Sequence, residues 1–109
     1  MSNISDKLLK VFHNRFSYSI KQSDIDYIMA YNGYSVIYQG DNSFRRDVSL
    51  VSLFSELDKC LFVQVNRKFV INIKKITHYE GDRIYINDID FKISKNYRRA
   101  FDEFYLAHI

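Results

Sequence analysis

The chain has no proline and no tryptophan, and only three glycines and one cysteine among its 109 residues. Each shortage excludes something. A single thiol, Cys60, cannot form an intrachain disulfide, which fits a reducing compartment and makes the cytoplasm the expected location. Three glycines do not suffice for a glycine-rich phosphate loop, and no Ser, His and Asp arrangement stands out, so nothing in the residues supports an enzyme. No apolar run approaches the roughly 20 residues that cross a bilayer, and the opening MSNISDK lacks the basic and apolar regions of a signal peptide; neither membrane insertion nor export is expected. His13, His78 and His108 lie far apart and lack the spacing of metal ligands, so no metal or other cofactor is expected. Cys60, placed before an apolar strand, reads as a small buried residue.

Acidic residues are missing from two windows. Residues 59–79 hold Lys59, Arg67, Lys68, Lys74 and Lys75, and residues 91–101 hold Lys92, Lys95, Arg98 and Arg99, with no Asp or Glu in either. Nine of the sixteen basic residues therefore lie where no neighbour in sequence neutralises them. The formal charge of +3 is too mild to imply an anionic partner by itself. One window alone would read as a solvated face, but two in one small domain point to a surface that meets phosphates.

What the chain has in abundance is Tyr and Phe, nine of each, alongside many Ile and Val, a composition that favours strands. Its length, without internal repeats, fits a single domain with one modest core. Apolar residues alternate with period two at Phe16, Tyr18 and Ile20, at Ile25, Tyr27 and Met29, and at Val36 and Tyr38. Asn32-Gly33 and Gly40-Asp41-Asn42 punctuate these runs as hairpin turns. Residues 76–79 and 83–86 flank Gly81-Asp82, and residues 91–93 follow Asn87-Asp88, which predicts further hairpins.

Helical spacing is confined to three stretches. Ile4, Leu8, Val11 and Phe12 predict a short helix over residues 4–13, outside the β-rich body, so that residues 1–14 form a linker or short helix and residues 15–109 the domain. Leu50, Leu53, Phe54 and Leu57 predict a helix over residues 49–58 capped by Ser49. Tyr97, Phe101 and Phe104 predict one over residues 94–107 capped by Ser94. The expected class is mostly β, with antiparallel strands in small packed sheets and two or three short helices.

Residues 62–76, FVQVNRKFVINIKKI, break their own alternation with the polar step Asn66-Arg67-Lys68. A chain does this where it turns sharply and shows side chains outward. Asn72, at a position that normally carries an apolar residue, reads as structural, its amide tying down the backbone. In the last helix, Lys95, Arg98 and Arg99 occupy the first turns, where the helix dipole is already positive, at a cost of about 0.3–1 kcal/mol per exposed charge. A phosphate bound there would reverse the sign.

Residues 23–105 resemble the LytTR-type DNA-binding domain, found at the carboxyl end of many bacterial response regulators. The resemblance rests on Asp24-Ile25-Asp26-Tyr27-Ile28, on Ser49-Leu50-Val51-Ser52-Leu53 with Leu57, on residues 62–72, and on Lys92-Ile93-Ser94-Lys95-Asn96-Tyr97, in the family's order and spacing. It implies a β-rich scaffold that inserts loops, not a recognition helix, into successive grooves of double-stranded DNA. By position, those loops are the turn at Gly33-Tyr34-Ser35, the Asn66-Arg67-Lys68 step, and the Ser94-Lys95 junction. It also implies a two-component transcriptional regulator, two copies on repeated half-sites with a homodimer on DNA, and a receiver domain upstream. The chain departs from the family where Asn66 replaces a common histidine, Lys68 a serine and Lys95 an arginine. Lysine holds a phosphate as a point charge but lacks the planar fork with which arginine reads guanine.

Each candidate has a bland counterpart. Arg67 reads as a base-edge or phosphate contact in preference to a surface ion pair with Asp58 or Glu80, which would contribute little. Asn66 is balanced between an adenine contact and a local backbone cap. Lys68, Lys95 and Arg98 are phosphate ligands or solvated cations, Tyr34 a DNA contact at a hairpin tip or a packing residue, and Arg45 and Arg46 an extension of the basic footprint or a blunted strand edge. Two other readings stay open. One is a β-rich protein-interaction or oligomerisation module without DNA binding. The other is single-stranded nucleic acid binding on aromatic platforms, which an exposed cluster of three Tyr on one sheet face would favour.

Overall fold

Strand formation begins earlier than the apolar spacing suggested. In the computed structural model, which describes residues 7–108, β1 (Leu8–His13) and β2 (Phe16–Lys21) form an antiparallel hairpin. Its two turn residues, Asn14 and Arg15, have φ of 50° and 73°, as a turn matched to right-handed strand twist requires. The helix expected over residues 4–13 is corrected to a strand for its described part; residues 4–6 lie outside the described residues. Leu9 and Val11 alternate inward, while Leu8 and Phe12 remain exposed on the opposite face and only mimic helical spacing. β1 also pairs with a later strand, Phe12 opposite Arg45, and so belongs to the β-rich body.

The chain continues through β3 (Tyr27–Tyr31), β4 (Tyr34–Gln39), β5 (Asn42–Arg46), α1 (Leu50–Phe54), β6 (Phe62–Gln64) and β7 (Phe69–Asn72). These strands complete a seven-stranded antiparallel sheet of order β2-β1-β5-β4-β3-β7-β6. A second sheet follows, β8 (His78–Glu80), β9 (Arg83–Ile86) and β10 (Ile89–Lys92), and then α2 (Lys95–Leu106). The expected mostly β fold with short helices is thus the fold observed.

Both helices are bounded by serine, with different chemistry. Ser49 accepts the Ser52 N–H at 3.1 Å and caps α1, which stops at Phe54 rather than extending to residue 58; Leu57 is buried beyond its end. Ser94 occupies the corresponding position before α2, but its side chain makes no capping bond, which corrects the expected cap.

Period-two alternation divides the central strands between two cores. Ile28 and Val70 join Leu9, Val11, Ile37 and the α1 residues Leu50 and Leu53 on one side of the large sheet. Tyr27 and Ile71 face the other side, where Ile84, Phe91 and Phe101 bring the small sheet and α2 against it. Asn72, fully buried at the end of β7, donates to Ile25 O at 2.8 Å and accepts the Lys74 N–H at 2.9 Å, the structural role its position suggested. Buried Gln22 similarly donates to Leu8 O and Glu56 O and accepts the Asp58 N–H. Cys60 is exposed, not buried as expected, because it lies in the surface turn before β6, held by its N–H to Asp58 Oδ1.

Candidate nucleic-acid interface

The turn between β6 and β7 is built around one side chain. Asn66 Oδ1 accepts the backbone N–H groups of Lys68 and Phe69 at 2.8 and 3.0 Å, which closes the turn and leaves Arg67 and Lys68 exposed. Its Nδ2 donates to Lys92 O, 26 residues away, at 2.8 Å. Two backbone bonds complete the arrangement: Ser94 N–H to Val65 O at 3.0 Å, and Ala30 N–H to Lys68 O at 2.7 Å. The end of β3, the 66–68 step and the β10–α2 junction are therefore joined directly, although the sequence scatters them.

Arg67 makes no hydrogen bond or ion pair with any described residue. The ion pairs considered for it do not form, since Glu80 meets His78 and Asp58 accepts from Cys60. Arg67 instead lines two open clefts. One, of about 510 Å³, is shared with Met29, Tyr31, Asn32 and Lys68. The other, of about 310 Å³, is shared with Gly33, Val51, Gln64 and Tyr97. Neither cleft has an acidic residue in its lining, so the charge facing the first comes from Arg67 and Lys68 and that facing the second from Arg67 alone.

Lys95 opens α2, exposed, in a cleft of about 370 Å³ with Asp82, Lys92 and Arg98. Arg98 is already engaged: its Nε lies 3.1 Å from Asp102 Oδ2, and Tyr79 donates its hydroxyl to the other oxygen at 2.9 Å. The Tyr79 hydrogen bond, then that of Arg98, hold the Asp102 carboxyl below its ordinary value, while Asp102 raises Arg98. Arg99 pairs similarly with Glu103 at 3.6 Å. These i,i+4 pairs account for the inverted charge order along α2.

On β4, Tyr34 and Ser35 part ways, as neighbours in a strand must. The Tyr34 ring lies between β3 and β5 neighbours, stacked on Tyr31 with centroids 5.0 Å apart and with the Arg45 guanidinium carbon 3.7 Å from its centroid. Tyr31 and Tyr38 share a hydroxyl hydrogen bond of 3.1 Å, which, with burial, pushes the Tyr38 phenol up to about 12. Ser35 is fully buried and donates to Val48 O at 3.0 Å, so its expected role as a DNA contact is corrected: the side chain points into the fold. Arg46 is also structural, gripping both Glu56 oxygens at 3.0 and 2.7 Å and Lys10 O at 2.9 Å; Arg45 adds a bond to Asp47.

Val51, Gln64 and Tyr97 share the Arg67 cleft although none of them was a candidate contact on sequence grounds. Val51 had a signal: it is an apolar residue on the outer face of α1, 78% exposed. Among the described residues no group of three or more His, Cys, Asp or Glu could hold a metal ion, and no helix is long and apolar enough to cross a membrane.

Comparison with known proteins adds two findings. A family model described as the LytTr DNA-binding domain matches residues 16–105. Among solved structures, the chain is similar to the LytTr DNA-binding domain of a Bacillus cereus protein described as a methyl-accepting/DNA response regulator, with a TM-score of 0.80 and 15% identity over 92% of this chain and 97% of that one. No curated protein matches the chain.

Proposed function

Because the chain belongs to the LytTr DNA-binding domain family, we propose that it binds duplex DNA sequence-specifically, as the DNA-binding part of a bacterial transcriptional regulator, presenting its loops to successive grooves. The observation that carries this proposal is the junction of the β3–β4 turn, the 66–68 step and the start of α2, with Arg67 unpartnered among the described residues and no acid lining its clefts. Arg67 contacts a base edge, Lys68 and Lys95 hold phosphates, Arg98 adds to the positive field, and Tyr34 stands at the margin of the contact. The wider assignment, to a cytoplasmic two-component response regulator with an upstream receiver domain and two copies on repeated half-sites, follows from the family and is part of the same proposal.

The single-stranded alternative is less well supported. Four tyrosines, Tyr27, Tyr31, Tyr34 and Tyr38, do line one sheet face, but their rings stack on one another and on Arg45 rather than lying open for bases. Selection of bound sites from random duplex DNA tests specificity and half-site spacing together. With about four phosphates neutralised, log affinity should fall with log salt at a slope near about −3.6. A flat salt response, or no enriched sequence, would leave the protein-interaction alternative as the better reading.

A further inference from the structure

We infer that Asn66 is a positioning residue for DNA binding, a strut that fixes the Arg67-Lys68 step against the Lys95 junction so that the two meet the duplex as one rigid unit. The inference rests on the proposed DNA-binding function and goes beyond it, because it removes Asn66 from the set of base-reading side chains and gives it a different task.

The geometry leaves little else for this side chain to do. Asn66 has one carbonyl oxygen with two lone pairs and one amide with two N–H groups. Both lone pairs are engaged, by the N–H groups of Lys68 and Phe69, and one amide proton goes to Lys92 O. Reading adenine with both its donor and its acceptor would break bonds at both ends of the amide. Those bonds act on two segments distant in sequence. The accepted pair sets the turn that projects Arg67 and Lys68, and the donated bond anchors that turn to the residue three before Lys95.

The neighbouring backbone bonds make the same connection from other directions, Ser94 N–H to Val65 O and Ala30 N–H to Lys68 O. The turn is thus a hub joining three contact segments, and Asn66 supplies the side-chain spoke that reaches Lys92, while Gln64 Nε2 donates locally to Asn66 O at 3.0 Å. A duplex rewards such rigidity, because a phosphate contact and a base contact held at fixed separation avoid the entropy of ordering each separately.

The test is a double-mutant cycle on the native chain with its selected duplex site. Asn66→Ser keeps a short hydroxyl for the turn but cannot span to Lys92 O. If Asn66 positions the two segments, Arg67→Ala and Lys95→Ala each cost less in the Asn66→Ser background than in the native one, with non-additivity of about threefold or more. A residue that only stabilised the fold would leave those costs unchanged at temperatures well below melting, so additive costs overturn the inference while the DNA-binding proposal stands. A base-reading Asn66 would instead lose sensitivity to one 7-deaza-adenine position on mutation, and that result also overturns it. Where Asn66→Ser does not fold, Asn66→Asp, which retains both accepted bonds and loses the donated one, enters the same cycle, with the same non-additivity expected and additivity overturning. Failure of the native protein to bind any duplex would remove both this inference and the proposed function.

Discussion

Asp102 holds Arg98 across one turn of α2, carboxylate oxygen to guanidinium nitrogen at 3.1 Å, and so withdraws a cation from the edge of the basic surface. Lys95, one turn earlier, has no ion-pair partner among the described residues, although Asp82 shares its cleft. Arg98→Ala is therefore expected to weaken duplex binding less than Lys95→Ala. Asp102→Asn should do the opposite of both, strengthening binding and steepening the salt slope by about 0.9 if the released arginine takes one phosphate. Titrations of the three variants at several salt concentrations provide the comparison; a weaker Asp102→Asn complex would count against Arg98 lying near DNA.

The same pairing has a consequence for acid stability. Asp102 and Glu56 both titrate below their ordinary values of 3.8 and 4.5, Asp102 through its bonds from Tyr79 and Arg98, Glu56 through its grip on Arg46. A carboxyl whose folded value is depressed binds its proton more readily in the unfolded chain, so its contribution is complete above the unfolded value and disappears as pH falls through the folded one. Melting temperature should therefore be insensitive to these groups above about pH 5 and decline below about pH 4.5. Glu56→Gln should lower the plateau and flatten the decline, with both effects modest because the pair is partly solvated.

Arg67→Ala should reduce discrimination between the selected site and random duplex while leaving the melting temperature nearly unchanged, since the side chain is exposed and makes no hydrogen bond or ion pair with any described residue. A base contact of this kind discriminates by about 1–3 kcal/mol. Lys68→Ala should instead lower affinity on all duplexes alike and reduce the salt slope by about 0.9. Equal losses on every sequence for Arg67→Ala would demote it to a phosphate contact.

These side chains were readable because Asn66-Arg67-Lys68 interrupts an apolar alternation, and a polar step in a strand pattern has few explanations. Ser35 was misread although the rule that excludes it was available: with Tyr34 outward, the next residue in a strand must point inward. The β1 strand was harder. Leu8, Leu9, Val11 and Phe12 place apolar groups on both faces of the strand, and its turn uses Asn14 and Arg15 at positive φ without a glycine, so the local signal favours a helix until the pairing with β2 and β5 decides. The bonds that assemble the site, from Asn66 to Lys92 and from Ala30 to Lys68, link residues distant in sequence. No local pattern encodes them; they depend on sheet order, which is settled by the two cores.

Asn72 stabilises the fold at the end of β7 away from the 66–68 turn. Its buried amide donates to Ile25 O and accepts the Lys74 N–H, and removing it strands the buried Ile25 carbonyl away from water while the N–H of exposed Lys74 is left nearer to solvent. Asn72→Ala should cost about 1–3 kcal/mol, chiefly for the buried Ile25 carbonyl left unpaired. Below its lowered melting point the variant should bind DNA nearly as well as the native protein, because the 66–68 turn is closed by Asn66 at the other end of β7. Urea denaturation and duplex titration on the same preparation separate the two effects.

Among the aromatic residues, burial and not proximity to the site sets the cost of truncation. Phe69 directly follows the polar step but is only half-buried, with Phe91 edge-on at 5.0 Å. Phe101 is fully buried between α2 and the small sheet, edge-on to Tyr79 at 5.3 Å and stacked on Tyr105 at 5.6 Å. Phe101→Ala should therefore destabilise by about 3–5 kcal/mol, and Phe69→Ala by distinctly less, because solvent already reaches part of its ring and collapse around the gap is easier. The order reverses for DNA: Phe69 donates its backbone N–H to Asn66 Oδ1 in the turn, and its ring on Phe91 anchors that end of β7, so its truncation should loosen binding more per unit of stability lost. Urea midpoints at constant slope, paired with affinities measured well below each midpoint, would show whether the two scales diverge in this way.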